Sequence, residues 1–140
     1  MPSIKALAFD FGLRTIGVAY GQSLTGTATP LSHLKARDGI PDWEQIEALI
    51  QEWRPSQLVV GLPLNMDGTE SELSRLARKF ARRLQGRFAL AVDLMDERLS
   101  SVEAKQKAKA QGHKGDYQQH PIDSLAAQLI LESWFRLMST

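Results

Sequence analysis

Apolar and polar residues alternate over residues 4–11, and this alternation predicts a β-strand. One face of the strand would carry Ile4, Ala6, Ala8 and Asp10, and the other would carry Lys5, Leu7, Phe9 and Phe11. Gly12 ends the alternation, and the apolar run at residues 16–20 predicts a second strand that returns as a hairpin. A third strand is predicted at residues 27–34.

Apolar residues spaced three and four positions apart predict four helices in the rest of the chain. The first follows a cap at Asp42, and the second follows a capping pair at Thr69 and Glu72. The third helix, which is basic, would begin at Ser100, and the fourth begins at Pro121. A loop is expected between the last two helices, at residues 111–119.

Two further strands, at residues 58–61 and 88–95, are predicted between these helices. A hairpin followed by strands that alternate with helices indicates an α/β fold with a mixed sheet. The length of 140 residues suits one compact core, so we expect a single domain over residues 1–140.

The composition is that of an ordinary globular protein, with 43% apolar and 24% charged residues and a net charge of +1. The chain has no cysteine, which excludes a disulfide framework, a zinc finger and a thiol nucleophile. The first residues do not read as a signal peptide, and no apolar run approaches the ~18 residues of a membrane span. We therefore expect a cytoplasmic protein without a membrane partner.

Three carboxylates stand where elements begin or end. Asp10 lies at the end of the first strand, Glu97 just beyond a later strand, and Asp123 in the first turn of the last helix. Sites in α/β sheets form beyond the carboxyl ends of strands, and clustered carboxylates are stable mainly around a cation. All-oxygen ligands prefer Mg²⁺ or Mn²⁺, and two such ions about 4 Å apart would suit phosphodiester hydrolysis.

Each carboxylate also has a simpler interpretation. Asp10 would cap the turn at Gly12, Glu97 would be a surface residue, and Asp123 would favour the helix N-terminus through its dipole. The segment from Gly12 to Gly17 has the glycine spacing of a phosphate-binding loop. That alternative is rejected, because the segment lacks the Lys and Ser/Thr of the motif and leads into a strand.

Four segments together carry a family resemblance: FDFGLRTIGVA, VVGLPLNMDGTE, DERLSSVEA and PIDSLAAQLIL. In this order and over almost the whole chain they closely resemble the YqgF (RuvX) family of pre-16S rRNA nucleases, also described as Holliday-junction-resolvase-like. The resemblance implies an RNase H-like mixed sheet with N-terminal hairpin strands and helices on both faces. It also implies that Asp10, Glu97 and Asp123 form the catalytic, metal-binding triad.

Further residues are candidates for contact with nucleic acid. Gly12, Arg14 and Thr15 follow Asp10 on the hairpin, close to where a phosphate would lie, and Asn65 lies on the expected substrate side. Arg98 would hold a carboxylate or a phosphate, or else form a salt bridge with Asp96.

His120 departs from the pattern of related resolvases, which tend to carry another acidic ligand at this position. It would bind metal, assist proton transfer or simply flank Pro121.

A basic face is predicted on the second helix, opposite its apolar stripe, from Arg75, Arg78, Lys79, Arg82 and Arg83. Neutralising phosphates with such a face would bind RNA or DNA, although a solvated helix face has the same pattern. No aromatic residues interleave with these charges, so recognition of the backbone and its shape is expected rather than base stacking.

Three functions remain open from the sequence. The leading one is a metal-dependent nuclease that trims the 5′ end of precursor 16S rRNA, a substrate that rests on the resemblance alone. The second is a resolvase of branched DNA, for which a symmetric dimer is expected. The third is an RNA- or ribosome-binding factor without nuclease activity. Monomer and homodimer are both compatible with the sequence.

Overall fold

The computed structural model describes residues 3–99 and 122–139. Within these residues six strands form one sheet in the order β4-β3-β2-β1-β5-β6. The strands are β1 (Lys5–Asp10), β2 (Thr15–Gln22), β3 (Thr27–Arg37), β4 (Ile40–Pro41), β5 (Gln57–Leu62) and β6 (Ala91–Asp96). The predicted basic helix at Ser100, the loop at 111–119 and His120 lie outside the described residues.

The sheet is mixed, as the element order predicts. β1 to β4 pair with their neighbours in antiparallel fashion, whereas β5 runs parallel to β1 and β6 parallel to β5. The carboxyl ends of β1, β5 and β6 therefore meet at one edge of the sheet. This edge is where side chains from different parts of the chain can form a common site.

Helices cover both faces of the sheet, which confirms the prediction. They are α1 (Trp43–Trp53), α2 (Glu72–Phe88) and α3 (Ile122–Met138). On one face, Leu7 and Phe9 of β1 share a core with residues of α1 and α2. On the other face, the smaller residues Ala6 and Ala8 share a core with α3. The alternation along β1 thus assigns each side chain to one of two cores.

The predicted start of α2 is wrong by two residues. Its N-cap is Ser71, whose Oγ accepts from the backbone N of Ser74 at 2.9 Å, while Ser74 Oγ accepts from the backbone N of Ser71 at 2.7 Å. Thr69 cannot take this role, because its hydroxyl and backbone N both donate to Asp67 Oδ1, at 2.6 and 3.0 Å. That short-range turn keeps Thr69 in the preceding loop.

Among the described helices, none combines the length and the apolar character that crossing a membrane would require.

Candidate functional site

Asp10 ends β1 at the edge where the parallel strands terminate. Phe9 is paired with Val60 of β5, so the next residues along the two strands, Asp10 and Gly61, are neighbours. Asp10 is half-buried and shares its face of the strand with Ala6 and Ala8, the face that α3 covers. The first carboxylate therefore lies at the rim of the core beneath α3.

Glu97 comes directly after β6, in a short 3₁₀ turn over Glu97–Leu99. Its side chain lies over Gly61, since a Cβ built on that glycine would be 3.0 Å from both Cγ and Oε1 of Glu97. The same Cβ would be 2.6 Å from Cδ1 of Ile130, which belongs to α3. Glu97 thus extends across the end of β5 on the face that α3 covers.

The structure brings Asp10 and Glu97 to the same face and the same edge of the sheet. They come from strands that are separated only by β5, whose Gly61 adjoins both residues. The two residues are almost ninety positions apart in the sequence, and the parallel pairing of β1, β5 and β6 brings them together. The backbone arrangement thus brings two of the three candidate carboxylates to one edge, and their role as metal ligands stays a prediction.

Asp123 occupies the first turn of α3, but its side chain lies outside what the structure describes. The next residue, Ser124, is fully buried and donates from Oγ to the carbonyl of Leu31 at 2.6 Å. Leu31 is paired with Val18, and Val18 with Phe9, the residue before the end of β1. This hydrogen bond holds the start of α3 level with the carboxyl end of β1.

The donor set at this edge suits a hard divalent cation. Asp10 and Glu97 offer carboxylate oxygens, and the missing Cβ of Gly61 leaves the space that Glu97 fills. Among the side chains that the structure describes, which do not include that of Asp123, no three Asp, Glu or His residues form a group that could hold a metal ion. A third ligand from Asp123, and the triad as a whole, stay predictions.

Arg98 is held by Asp96, the last residue of β6. Its Nε donates to both carboxylate oxygens at 3.1 and 3.0 Å, and its second terminal nitrogen donates to Oδ2 at 2.7 Å. Hydrogen bonds from the guanidinium hold the pKa of Asp96 below its ordinary value, and those to the carboxylate raise the pKa of Arg98. Of the alternatives from the sequence, the structure shows the salt bridge with Asp96, and contact of Arg98 with a phosphate stays a prediction.

Asn65 closes the loop that follows β5. Its amide donates to Thr69 Oγ1 at 3.0 Å and to the carbonyl of Glu70 at 3.3 Å. The carboxylate of Asp67 accepts from Thr69 in the same loop, and these bonds lower the pKa of Asp67. Arg98 also reaches this loop, through a 3.3 Å bond to the carbonyl of Met66. Contact of Asn65 with nucleic acid stays a prediction.

The turn after β1 leaves no room for a side chain at Gly12. A Cβ at Gly12 would be 2.5 Å from the carbonyl oxygen of Thr15, so a larger residue cannot be placed there without moving the turn. Arg14 is exposed, and its carbonyl accepts from the backbone N of Ala36 at 2.8 Å. These residues lie at the same edge as the carboxylates, and their contact with a phosphate stays a prediction.

The basic residues of α2 fall into two groups. Arg78 makes two bonds to Glu70, at 2.8 and 3.1 Å, and Arg75 lies 3.4 Å from Glu72. The bonds from Arg78 lower the pKa of Glu70. The other cations of the predicted basic face, which have no carboxylate oxygen within 4.0 Å among the described residues, are Lys79, Arg82 and Arg83.

The structure brings aromatic residues to this basic helix, which the sequence reasoning missed. Cζ of Arg87 lies 4.3 Å from the ring centroid of Trp43, and Trp43 stacks on Phe80 with centroids 5.8 Å apart. Phe11, just after β1, lies beside Phe80 at 5.3 Å. Spacing within α2 carries no signal of this, because Trp43 and Phe11 come from other elements.

The chain is similar to known proteins over almost its whole length. A family model described as RuvX, Holliday junction resolvase, matches residues 4–137. A protein from Saccharophagus degradans is 57% identical over 136 residues, covering 97% of this chain and 96% of its own. One from Chromohalobacter salexigens is 61% identical over 129 residues, covering 92% and 87%. Both are named "putative pre-16S rRNA nuclease".

Solved structures with the same fold are distant in sequence. RuvC from T. thermophilus, in complex with a Holliday junction, aligns with a TM-score of 0.55 at 14% identity, covering 98% of this chain and 97% of that one. The Fowlpox virus resolvase, in complex with junction DNA, gives 0.57 at 12% identity, covering 98% and 100%. These similarities confirm the RNase H-like fold.

Proposed function

Because the chain belongs to the RuvX family, we propose that it is a metal-dependent nuclease that hydrolyses phosphodiester bonds and processes the 5′ end of precursor 16S rRNA. The observation that supports catalysis is the placement of Asp10 and Glu97 on one face at one edge of the sheet. The RNA substrate is supported by relatives that are 57% and 61% identical over nearly the whole chain and carry that substrate in their names. Such processing would place the protein in the cytoplasm.

Asp10, Glu97 and Asp123 would hold Mg²⁺ or Mn²⁺ at this edge. When bound, such an ion supplies an activated water and stabilises charge on the leaving oxygen. The chain itself provides placement, because Asp10 ends a central strand and Glu97 lies against Gly61, at the point where Ile130 of α3 also packs. Ligands held by strands and a packed helix need little reorganisation when the substrate binds.

Basic residues outside this edge would position the RNA. Arg14 is exposed on the hairpin that follows Asp10, and Lys79 and Arg82 are exposed on α2. Each would neutralise a backbone phosphate and release counterions, which makes binding dependent on salt. Arg78 and Arg98 are engaged by Glu70 and Asp96, so we assign them first to holding α2 and the loop after β5.

A second candidate function is the resolution of four-way DNA junctions. It is favoured by the description of the family model and agrees with the junction complexes of two distant structural relatives. Those relatives share only 12–14% of their residues with this chain, so they inform the fold and not the substrate. A junction resolvase would act as a homodimer with two facing sites, whereas trimming of one RNA end needs only a monomer.

The experiment that tests the proposal measures cleavage of end-labelled precursor 16S leader RNA in Mn²⁺, with a four-way DNA junction assayed in parallel. The variants are Asp10→Asn and Glu97→Gln. Their control is Glu47→Gln, which removes an exposed carboxylate from α1. We expect the wild type and the control to cut RNA. Both site variants should lose activity by about 100-fold or more, a larger loss than is typical when a residue that only supports a metal ligand is changed.

Other outcomes would redirect the assignment. Cleavage of the junction alone would establish the resolvase. Binding of RNA without cleavage by any of the preparations would establish a binding factor. Equal cleavage by the wild type and by Asp10→Asn would remove this edge of the sheet from the catalytic mechanism.

A further inference from the structure

A β-bulge interrupts β3 close to the candidate catalytic edge. Leu31 of β3 is paired with Val18 of β2. Leu34 is paired with Ile16, so three steps along β3 correspond to only two steps along β2. One residue of β3 is therefore extra, and it shifts the alternation of the side chains by one position. As a result Leu31 and Leu34 both pack against the core that α1 and α2 cover, although their positions differ by an odd number.

The bulge directs two cations, Lys35 and Arg37, to the other face of the sheet. Leu34 and Ala36 contact the core of α1 and α2. Lys35 and Arg37, the β3 cations, alternate with these residues, so they belong to the opposite face, which is also the face of Asp10. Without the extra residue in β3, the two cations would belong to the face of the apolar core instead.

The strand pairing locates the β3 cations relative to Asp10. Asp10 is paired with Gly17 of β2, and Thr15 is on the same face of β2, two residues nearer its start. Thr15 in turn is paired with Lys35. Only β2 separates β1 from β3, so these two strands are about 10 Å apart at the ordinary strand spacing. A single RNA strand that passes Asp10 can therefore cross β2 and reach Lys35.

The cations of α2 do not share this face. α2 packs on the core that contains Phe9, so its cations and the candidate carboxylates lie on opposite sides of the sheet. α3 lies on the carboxylate side, and near its start Ser124 bonds to Leu31, which precedes the bulge. The β3 cations lie farther along the strand and are exposed. A phosphate on the carboxylate side therefore meets the β3 cations and not those of α2.

The charges of the β3 cations are available to an anionic ligand. Among the described side chains, neither cation has a carboxylate oxygen within 4.0 Å. Lys35 also borders a groove between β3 and α1, because β4 pairs only with Ala36 and Arg37 and leaves the preceding part of β3 as the sheet edge. Arg37 is not part of the lining of that groove. The flexible stem of Lys35 permits its ammonium group to reach a ligand on either side of this edge.

We propose that Lys35 and Arg37 bind backbone phosphates of the RNA strand that is cut, on one side of the cleaved phosphate. Arg37 can bind a phosphate through two parallel N–H donors, and Lys35 binds as a point charge. Neither contact reads a base, so the β3 cations would hold RNA of any sequence. The inference rests on the proposed function for its substrate, and it adds the direction in which the strand leaves the carboxylates, across β2 towards β3.

The first test uses the absence of cysteine from the chain. Lys35→Cys introduces a single thiol, which is modified with a photo-activated azidophenacyl cross-linker, and Lys5→Cys at the start of β1 is the control. Precursor 16S leader RNA is bound in EDTA to prevent cleavage, and the cross-linked nucleotides are mapped by primer extension. We expect position 35 to cross-link to a few nucleotides on one side of the cut, and position 5 to give no such product. Cross-links from position 35 that are absent, or that fall equally on both sides, would overturn the inference.

The second test compares two double variants that remove the same charges. Lys35→Gln with Arg37→Gln removes the β3 cations, whereas Lys5→Gln with Arg136→Gln alters the start of β1 and the last turn of α3. In EDTA, we expect the β3 variant to bind the leader RNA about ten-fold more weakly. The slope of log affinity against log salt should become less steep by about 1.4 to 1.8, as for two phosphate contacts. Equal losses in both double variants would show an effect of net charge and refute the site.

The third test uses RNA that is shortened on one side of the cut. The proposed contacts are remote from the reacting phosphate, so the β3 variant should raise KM and leave kcat nearly unchanged. This rise in KM should disappear when the RNA is shortened on one side of the cut, and persist when it is shortened on the other. A rise in KM that is the same with both shortened RNAs would refute the proposed direction of the strand.

Failure of this inference can be distinguished from failure of the proposed function. A chain that binds RNA through the β3 cations but cuts no RNA retains the phosphate site and loses the nuclease assignment. A nuclease whose β3 variant binds with wild-type affinity and cuts with wild-type KM retains the proposed function and loses the phosphate site.

Discussion

The side chain of Glu97 lies so close to Gly61 that a Cβ at position 61 would press against its carboxylate. That Cβ would lie 3.0 Å from Glu97 Oε1 and 2.6 Å from Ile130 Cδ1. Gly61 does not have a positive φ angle, so its role is to give room and not to permit an unusual backbone. β5 can therefore pass beneath a candidate metal ligand while α3 packs against the same point.

Replacing Gly61 with alanine tests this relationship. Because the strand is buried and two neighbours are too close, we expect the free energy of unfolding to fall by about 1–3 kcal/mol, as for other overpacked cores. Displacement of Glu97 should also lower the rate of RNA cleavage by about ten-fold or more, since small misplacements of catalytic groups are costly. Urea unfolding and initial rates measure the two effects. A folded variant with the wild-type rate would contradict the role given to Glu97.

Gly86→Ala is the control for Gly61→Ala, because it adds a methyl group at a position that has space for it. It lies within α2, and a Cβ built there has no neighbour within 4 Å among the described residues. Gly86→Ala should therefore raise the free energy of unfolding by about 0.5–1 kcal/mol through the helix preference of alanine. Thermal and urea unfolding measure this change. A destabilised variant would show that the last turn of α2 is not helical in solution.

Ser124→Ala tests the anchor of α3. Loss of the bond leaves the half-buried carbonyl of Leu31 without that donor, and we expect a cost of about 0.5–1.5 kcal/mol. Because Asp123 is the adjacent residue, the cleavage rate should fall too, and a higher concentration of Mg²⁺ or Mn²⁺ should be needed for half-maximal activity. Ser133→Ala is the matched control. Ser133 is also buried in α3, but its Oγ accepts a bond from Arg136 at 2.9 Å towards the far end of the helix. Equal activity losses in both variants would refute the link to Asp123.

Asp96 and Arg98 predict a dependence of stability on pH. The pKa of Asp96 is lower in the folded chain than the unfolded value of about 3.9, so its contribution is complete above that value and is lost as pH falls through the folded pKa. At pH 7 we expect Asp96→Asn to lower the free energy of unfolding by about 1 kcal/mol. Urea unfolding between pH 5 and pH 2.5 should show this difference shrink. A difference that is constant with pH would show that the ion pair is not its source.

The two groups of cations on α2 should differ in their effect on RNA binding. Arg82→Gln removes a charge that no described carboxylate neutralises. The slope of log RNA affinity against log salt should therefore become less steep, by the amount that corresponds to about one phosphate contact. The double variant Glu70→Gln with Arg78→Gln keeps the net charge and removes a neutral pair, and it should weaken binding less. Fluorescence anisotropy across a salt series measures both. A larger loss in the double variant would make Arg78 a direct RNA contact.

Local periodicity was enough to predict much of the fold. The alternation over β1 separates the two cores and puts Asp10 on the face of α3, because successive strand residues point to opposite faces. The apolar stripes predicted the described helices for a similar reason, since one side of each must be buried. These features depend on neighbours a few residues away, so the chain itself encodes them directly.

Tertiary structure decided what depends on distances between remote segments. Only the folded chain shows that Glu97 needs Gly61, that Glu70 and Asp96 engage Arg78 and Arg98, and that Trp43 reaches the basic flank of α2. Polar side chains choose partners by geometry, and many partners are equally possible from the sequence. The sequence thus determined which face of each strand and helix is buried, the two cores and the candidate carboxylates. Packing decided which cations are paired with a carboxylate and which side chains lie beside them.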